Sequence, residues 1–157
     1  MDVRTIQSPV GLLKLTAGES ALTGIWLNAR GRPDTARPRG VLAEVEQQLA
    51  AYFAGKLTTF DLPIALTGTS FQCDVWNMLR HIPFGVTCSY AELAERIGRP
   101  ASVRAVGAAN GQNPIPIVIP CHRVIGKNGS LTGFGGGLEM KAWLLSHEHA
   151  QGRLWHR

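Results

Sequence analysis

The chain has 157 residues, 45% of them hydrophobic and 17% charged, which is the balance of a globular protein with room for one ordinary domain or two small ones. No apolar run approaches membrane-spanning length, and the N-terminus lacks a basic stretch leading into an apolar run, so neither secretion nor insertion is expected and a cytoplasmic location is. The net charge of +5 is uneven: residues 1–64 carry seven basic and six acidic side chains and residues 65–157 nine and five, so the second half has the weak basic signature of a polyanion partner.

The first 27 residues read as short strands, with Val10 to Leu15 and Ala21 to Leu27 rich in aliphatic residues around the break Gly18-Glu19-Ser20; a small antiparallel sheet is expected. Arg30 to Gly40 has loop composition, with Gly31, Pro33 and Pro38 among four arginines. A helix follows, since Val41, Val45, Leu49, Tyr52 and Phe53 fall on one face before Gly55. Phe60 to Gly68 connects to a second unit, which gives expected domains of 1–64 and 65–157. Thr69 and Gln72 stand in capping-box spacing ahead of Phe71, Val75, Met78, Leu79 and Ile82. Ser89 and Glu92 repeat that spacing before Leu93 and Ile97. Gly98-Arg99-Pro100 then separates this short helix from another over Ala101 to Asn110, and the pair suggests a helix-turn-helix. The second helix is built of small residues with Arg104 as its only charge, so it suits close approach to a neighbouring helix or to DNA. Ile115 to Ile119 predicts a buried strand or extended segment, Asn128-Gly129 a hairpin turn, Gly133 to Gly137 a loop, and Leu138 to Glu148 a last helix with Met140, Trp143 and Leu144 inward.

Cys73, Cys88 and Cys121 make an odd count without a CxxC spacing, which argues for free thiols and against a disulfide framework or a structural zinc site. Cys121 follows the aliphatic run and Pro120, with His122 beside it, and a thiol nucleophile needs a nearby base or positive charge. A lone cysteine is equally at home as a small buried hydrophobe. Neighbouring side chains of an extended segment point to opposite faces, so His122 reaches the sulfur only through a water or a sharp bend. Glu148, at the unfavourable end of the last helix, is the candidate acceptor that orients His122, or else simply a solvated helix end.

The run from Asn113 to Gly126, containing Pro120-Cys121-His122-Arg123-Val124, resembles the active-site segment of the methylated-DNA--protein-cysteine methyltransferases, the O6-alkylguanine-DNA alkyltransferases. Phe71 to Trp76, Ser89-Tyr90, Arg104 to Gly107, Thr132 to Leu138 and Trp143 to Glu148 are similar to the family's other motifs, in order, so the likeness covers residues 69–149. The fold this implies is α/β (α+β): a ribonuclease H-like N-terminal sheet and helix, then a mainly helical winged helix-turn-helix that binds DNA and carries the chemistry.

The resemblance implies a single, stoichiometric transfer of a methyl or larger alkyl group from O6 of guanine, and less well O4 of thymine, to Cys121, with no cofactor or metal. His122 acts as base through water, Glu148 polarises it, Asn113 holds the turn, and the Tyr90 hydroxyl assists the leaving guanine. Arg104 fills the vacated base stack, and Ser102 and Ala105 lie on the helix that enters the minor groove of double-stranded DNA, bound by a monomer. Val124, Pro116, Phe134, Gly135 and Trp76 form the substrate pocket. Many relatives have tyrosine where Phe134 stands, which keeps stacking and loses a hydroxyl. The glycines beside it imply an open mouth that admits groups larger than methyl. A non-catalytic lesion-binding module, a helix-turn-helix regulator and a cysteine hydrolase are the alternatives; the first lacks a cysteine at position 121.

Overall fold

The computed structural model describes residues 1–149. Two compact units are distinct, Met1–Leu66 with Pro114–Pro116, and Thr67–Asn113 with Ile117 onward. Among the described residues, no helix is long and apolar enough to cross a membrane.

The first unit is an antiparallel sheet of β1 (Asp2–Ser8), β2 (Gly11–Ala17) and β3 (Leu22–Trp26) in the order β1-β2-β3, with helix α1 (Gly40–Phe53) packed on it. Strand β2 buries Leu13, Leu15 and Ala17 at alternate positions, while Lys14 between them is exposed, as a half-covered strand requires. Leu42, Val45, Leu49 and Tyr52 of α1 are buried. Leu42, and not the expected Val41, holds the first core position, because the 42, 45, 49, 52 spacing keeps one stripe inward. Each fully buried leucine here contributes roughly 1.5–3 kcal/mol. Strand β1 has little aliphatic density and buries only Ile6, so it forms through pairing with β2 from Asp2↔Ala17 to Ser8↔Gly11. Pro114–Pro116 joins this unit through the Pro114 carbonyl, which accepts from the Ile25 N–H at 3.0 Å.

The second unit contains α2 (Ser70–Leu79), β4 (Cys88–Ser89), α3 (Tyr90–Arg96), α4 (Val103–Gly111), a 3-10 turn at Cys121–Arg123, β5 (Val124–Ile125) and α5 (Leu138–His147). Both expected capping boxes are formed, Thr69 with Gln72 and Ser89 with Glu92, each worth about 1 kcal/mol to its helix. Gly68 has no room for a side chain, since a Cβ there would lie 2.7 Å from the Trp76 ring. The two short helices α3 and α4 pack on each other and on α2. Helix α4 starts at Val103, so Ser102 is its N-cap and makes no side-chain cap bond.

Two expectations fail locally. Ile115 to Ile119 is largely buried as expected but is not a strand: Ile117 has φ +76°, a left-handed conformation that is costly for a β-branched residue, and Pro114, Pro116 and Pro120 supply no N–H for a ladder. Asn128-Gly129 closes a tight loop, with Gly126 N–H bonded to the Ser130 carbonyl, but no hairpin follows. Instead β5 pairs in parallel with β4, Cys88↔Val124 and Ser89↔Ile125, which ties the start of α3 to the residues just after Cys121.

Candidate active site

Cys121 begins the 3-10 turn rather than ending a strand, and that turn supplies the sharp bend. Its N–H bonds back to the Ile119 carbonyl at 2.8 Å, and the Asn113 side-chain amide donates to the same carbonyl at 2.8 Å. Asn110 Nδ2 reaches the Cys121 carbonyl at 3.5 Å. Burial pushes the Cys121 thiol up to about 11, opposed by hydrogen bonding from Asn113 and by the charge of Lys141. Cys88 lacks that relief: burial and Glu92 push its thiol up to about 12, with only Arg96 opposing. Cys73 is half-buried on α2, its thiol directed at the Gly68 carbonyl at 3.9 Å.

His122 is completely buried, and its Nε2 lies 2.8 Å from Glu148 Oε2. Arg123 donates from Nε to Glu148 Oε1 at 2.8 Å and from Nη2 to Oε2 at 3.0 Å, while Nη1 donates to the Ile82 carbonyl at 2.6 Å. Burial alone would raise the Glu148 carboxyl, but the hydrogen bonds and charges of His122 and Arg123 outweigh it and hold the group well below the usual carboxylate range. An ionised carboxylate only accepts, so Nε2 carries the ring proton. Nδ1 is left as a buried atom without a hydrogen-bond partner among the described residues. Burial lowers the imidazole below its ordinary value, although the hydrogen bond it donates to Glu148 opposes this, so the ring is neutral at pH 7.

Lys141 is fully buried in α5 and donates from Nζ to the carbonyls of Val124 and Thr132, both at 2.6 Å. Burial pulls its ammonium down to about 8, offset by attraction to Cys121. The Tyr90 hydroxyl at the start of α3 donates to the Thr132 carbonyl at 3.2 Å and accepts from Thr132 Oγ1 at 3.3 Å. The consecutive residues 121–124 thus enter three sets of hydrogen bonds: Cys121 with Asn113 and Asn110 around the turn, His122 and Arg123 with Glu148, and Val124 with Lys141, Thr132 and Tyr90. Phe134 is half-buried and Gly135 exposed in the loop before α5, and a Cβ at Gly135 would meet nothing within 4 Å. Arg104 and Ala105 lie exposed on α4, with Ser102 half-buried at its start.

Trp76 departs from its expected place. It is core, 2% exposed, and its indole N–H donates to the Ala109 carbonyl at 2.8 Å, bracing α2 on α4. Pro116 is buried and belongs to the first unit. Arg123, Lys141, Asn110 and Thr132 were not anticipated. Lys141 had a signal in the sequence: with Leu144, Leu145 and Glu148 it occupies i, i+3, i+4 and i+7, the buried stripe of a helix.

Residues 1–66 match the ribonuclease-like domain of 6-O-methylguanine DNA methyltransferase, and residues 70–150 match its DNA binding domain. The chain belongs to the 6-O-methylguanine DNA methyltransferase family. The methylated-DNA--protein-cysteine methyltransferase of Mycolicibacterium paratuberculosis is 50% identical over 153 residues, 94% of this chain and 92% of the relative. That of Methanosarcina acetivorans is 45% identical over 147 residues, covering 90% and 94%. Mycobacterium tuberculosis OGT, solved in complex with DNA, superposes with a TM-score of 0.85 at 47% identity, covering 96% of this chain and 94% of the other. The family's fold of an antiparallel sheet with a helix, followed by a mainly helical unit, is thus the fold of this chain.

Proposed function

We propose that this methyltransferase repairs double-stranded DNA by moving an alkyl group from O6 of guanine to Sγ of Cys121, once per chain. The observation that carries the reading is the state of His122: fully buried, neutral, bonded through Nε2 to an ionised Glu148, and with Nδ1 bare beside the Cys121 turn. Such an imidazole accepts a proton, here from the thiol through a water. The thiolate attacks the alkyl carbon as the bond from that carbon to O6 breaks, leaving a thioether on Cys121. The guanine departs with its negative charge neutralised by a proton, for which the Tyr90 hydroxyl is the donor. A thioether is not readily cleaved by water or thiols, so the acceptor is not regenerated.

The exposed side of α4, with Arg104, Ala105 and Ala108, suits close approach along the minor groove. Arg104 replaces the extruded base, which costs a few kcal/mol to unstack and less at a lesion that pairs poorly. The Phe134 and Gly135 loop forms the mouth that takes groups larger than methyl, and the chain works as a cytoplasmic monomer.

Incubation with a duplex carrying O6-methylguanine, followed by intact and peptide mass measurement, tests this. One methyl on the Cys121 peptide, saturating at one per chain, is expected; repeated turnover or no gain rejects the reading. Cys121→Ala should abolish transfer while retaining DNA binding.

A further inference from the structure

We propose that Arg123 is a positioning residue for the transfer: its guanidinium grips both carboxylate oxygens of Glu148, so that His122 is oriented through Nε2 and presents Nδ1 as a neutral acceptor. This rests on the reading of Cys121 and His122 given above.

Glu148 is the C-cap of α5, at the negative end of the helix dipole, and is 1% exposed. A carboxylate alone in that place would be driven to take up a proton, and a protonated Glu148 could turn its hydroxyl toward His122 and reverse the tautomer. The Arg123 fork prevents both. It fixes the carboxylate plane by spanning Oε1 and Oε2 at 2.8 and 3.0 Å, and it sets a positive charge against the negative one. Oε2 is shared between Arg123 Nη2 and His122 Nε2, so the position of the fork sets the direction of the ring. The fork is itself held, by the Ile82 carbonyl at 2.6 Å and by the Phe84 ring, whose centroid is 5.9 Å from the guanidinium carbon. A lysine would carry the charge but could not span both oxygens in a plane.

The charge has a second effect. A histidine beside a carboxylate tends to become imidazolium, which would occupy Nδ1 and end its use as an acceptor. Glu148 and Lys141 face His122 from α5, and Cys121 and Arg123 from its own turn; of these, Glu148 favours the imidazolium while Arg123 and Lys141 oppose it.

The test is the pH dependence, from 5 to 9, of single-turnover Cys121 alkylation by O6-methylguanine duplex, for wild type, Arg123→Lys and Arg123→Met, with DNA affinity and thermal melting in parallel. Arg123→Lys should slow the maximal rate about tenfold and leave the acid limb in place. Arg123→Met should slow it further and move the acid limb up by about one pH unit, because the His122 and Glu148 pair then takes up a proton more readily. DNA affinity should stay within about twofold in both. Rate losses that follow the folded fraction, with the acid limb unmoved in Arg123→Met, overturn the proposal. If Arg123→Met does not fold, ring nitrogen chemical shifts of His122 decide: a single Nε2–H tautomer in wild type and a mixed population in Arg123→Lys are expected, and an unchanged single tautomer overturns it. A wild type that gains no mass at Cys121 removes the reading of the site itself; a wild type that reacts while the variants keep its profile and tautomer removes only the role of Arg123.

Discussion

Lys141 occupies a place where an apolar side chain would cost less, and its ammonium holds two carbonyls and opposes the rise of the Cys121 thiol. Lys141→Met removes the ammonium donor from the Val124 carbonyl, leaves the Thr132 carbonyl with the Tyr90 hydroxyl alone, and takes away the charge that opposes the rise of the Cys121 thiol. The expected results are a loss of about 1–3 kcal/mol in stability, by chemical denaturation, and a higher pH midpoint for alkylation of Cys121 by iodoacetamide. Glu148 and His122 make a prediction about acid. Both have folded values below their ordinary ones, so both release protons on folding, and the unfolded chain binds more protons as the pH falls. Stability should be full above about pH 6.5, decline below it as unfolded His122 protonates, and decline again below about pH 4.3 as unfolded Glu148 does. Melting temperatures from pH 3 to 8 check this; a variant with Glu148→Gln should lose the lower step.

At the scale of elements, α4 is half covered. Its inner side, Val106, Ala109 and Asn110, is buried, while Arg104, Ala105 and Ala108 are open. Ala105→Glu should leave the melting temperature within a few degrees of wild type and weaken duplex binding at least about tenfold, because a carboxylate is set against phosphate and takes the space of a methyl group. Equal binding by that variant would remove α4 from the interface. The helices were legible in the sequence because their signals are local: Thr69 with Gln72 and Ser89 with Glu92 lie three residues apart, and the stripes of α1 and α2 repeat within a few turns. The segment before Cys121 was not. Its β-branched residues have strand propensity, but three prolines and the left-handed Ile117 turn it into an irregular approach held by Asn113, and that bond joins residues six apart whose meeting depends on the turn itself. Trp76 misled for a related reason, since an aromatic in a motif can line a pocket or brace a core, and only the meeting of its indole N–H with Ala109 on another helix decides.

For the whole molecule, the four excess positive charges of residues 65–157 make duplex binding sensitive to salt. The logarithm of duplex affinity should fall against the logarithm of salt by about 0.9 for each phosphate neutralised. A slope near zero would mean that phosphate contributes little. Part of the candidate site was legible, since Cys121 and His122 are consecutive and stand out in one string. The partners of Arg123 and Lys141 were hidden, because Ile82, Glu148, Val124 and Thr132 come from elements far apart in the chain. The raised thiol of Cys121 has its own consequence for a molecule that is reagent as well as catalyst. Burial holds the sulfur in its thiol form at neutral pH, so stray electrophiles and peroxide meet little thiolate to attack. A chain that works once is thereby kept fresh in storage, and its reactivity awaits the base that fits the pocket.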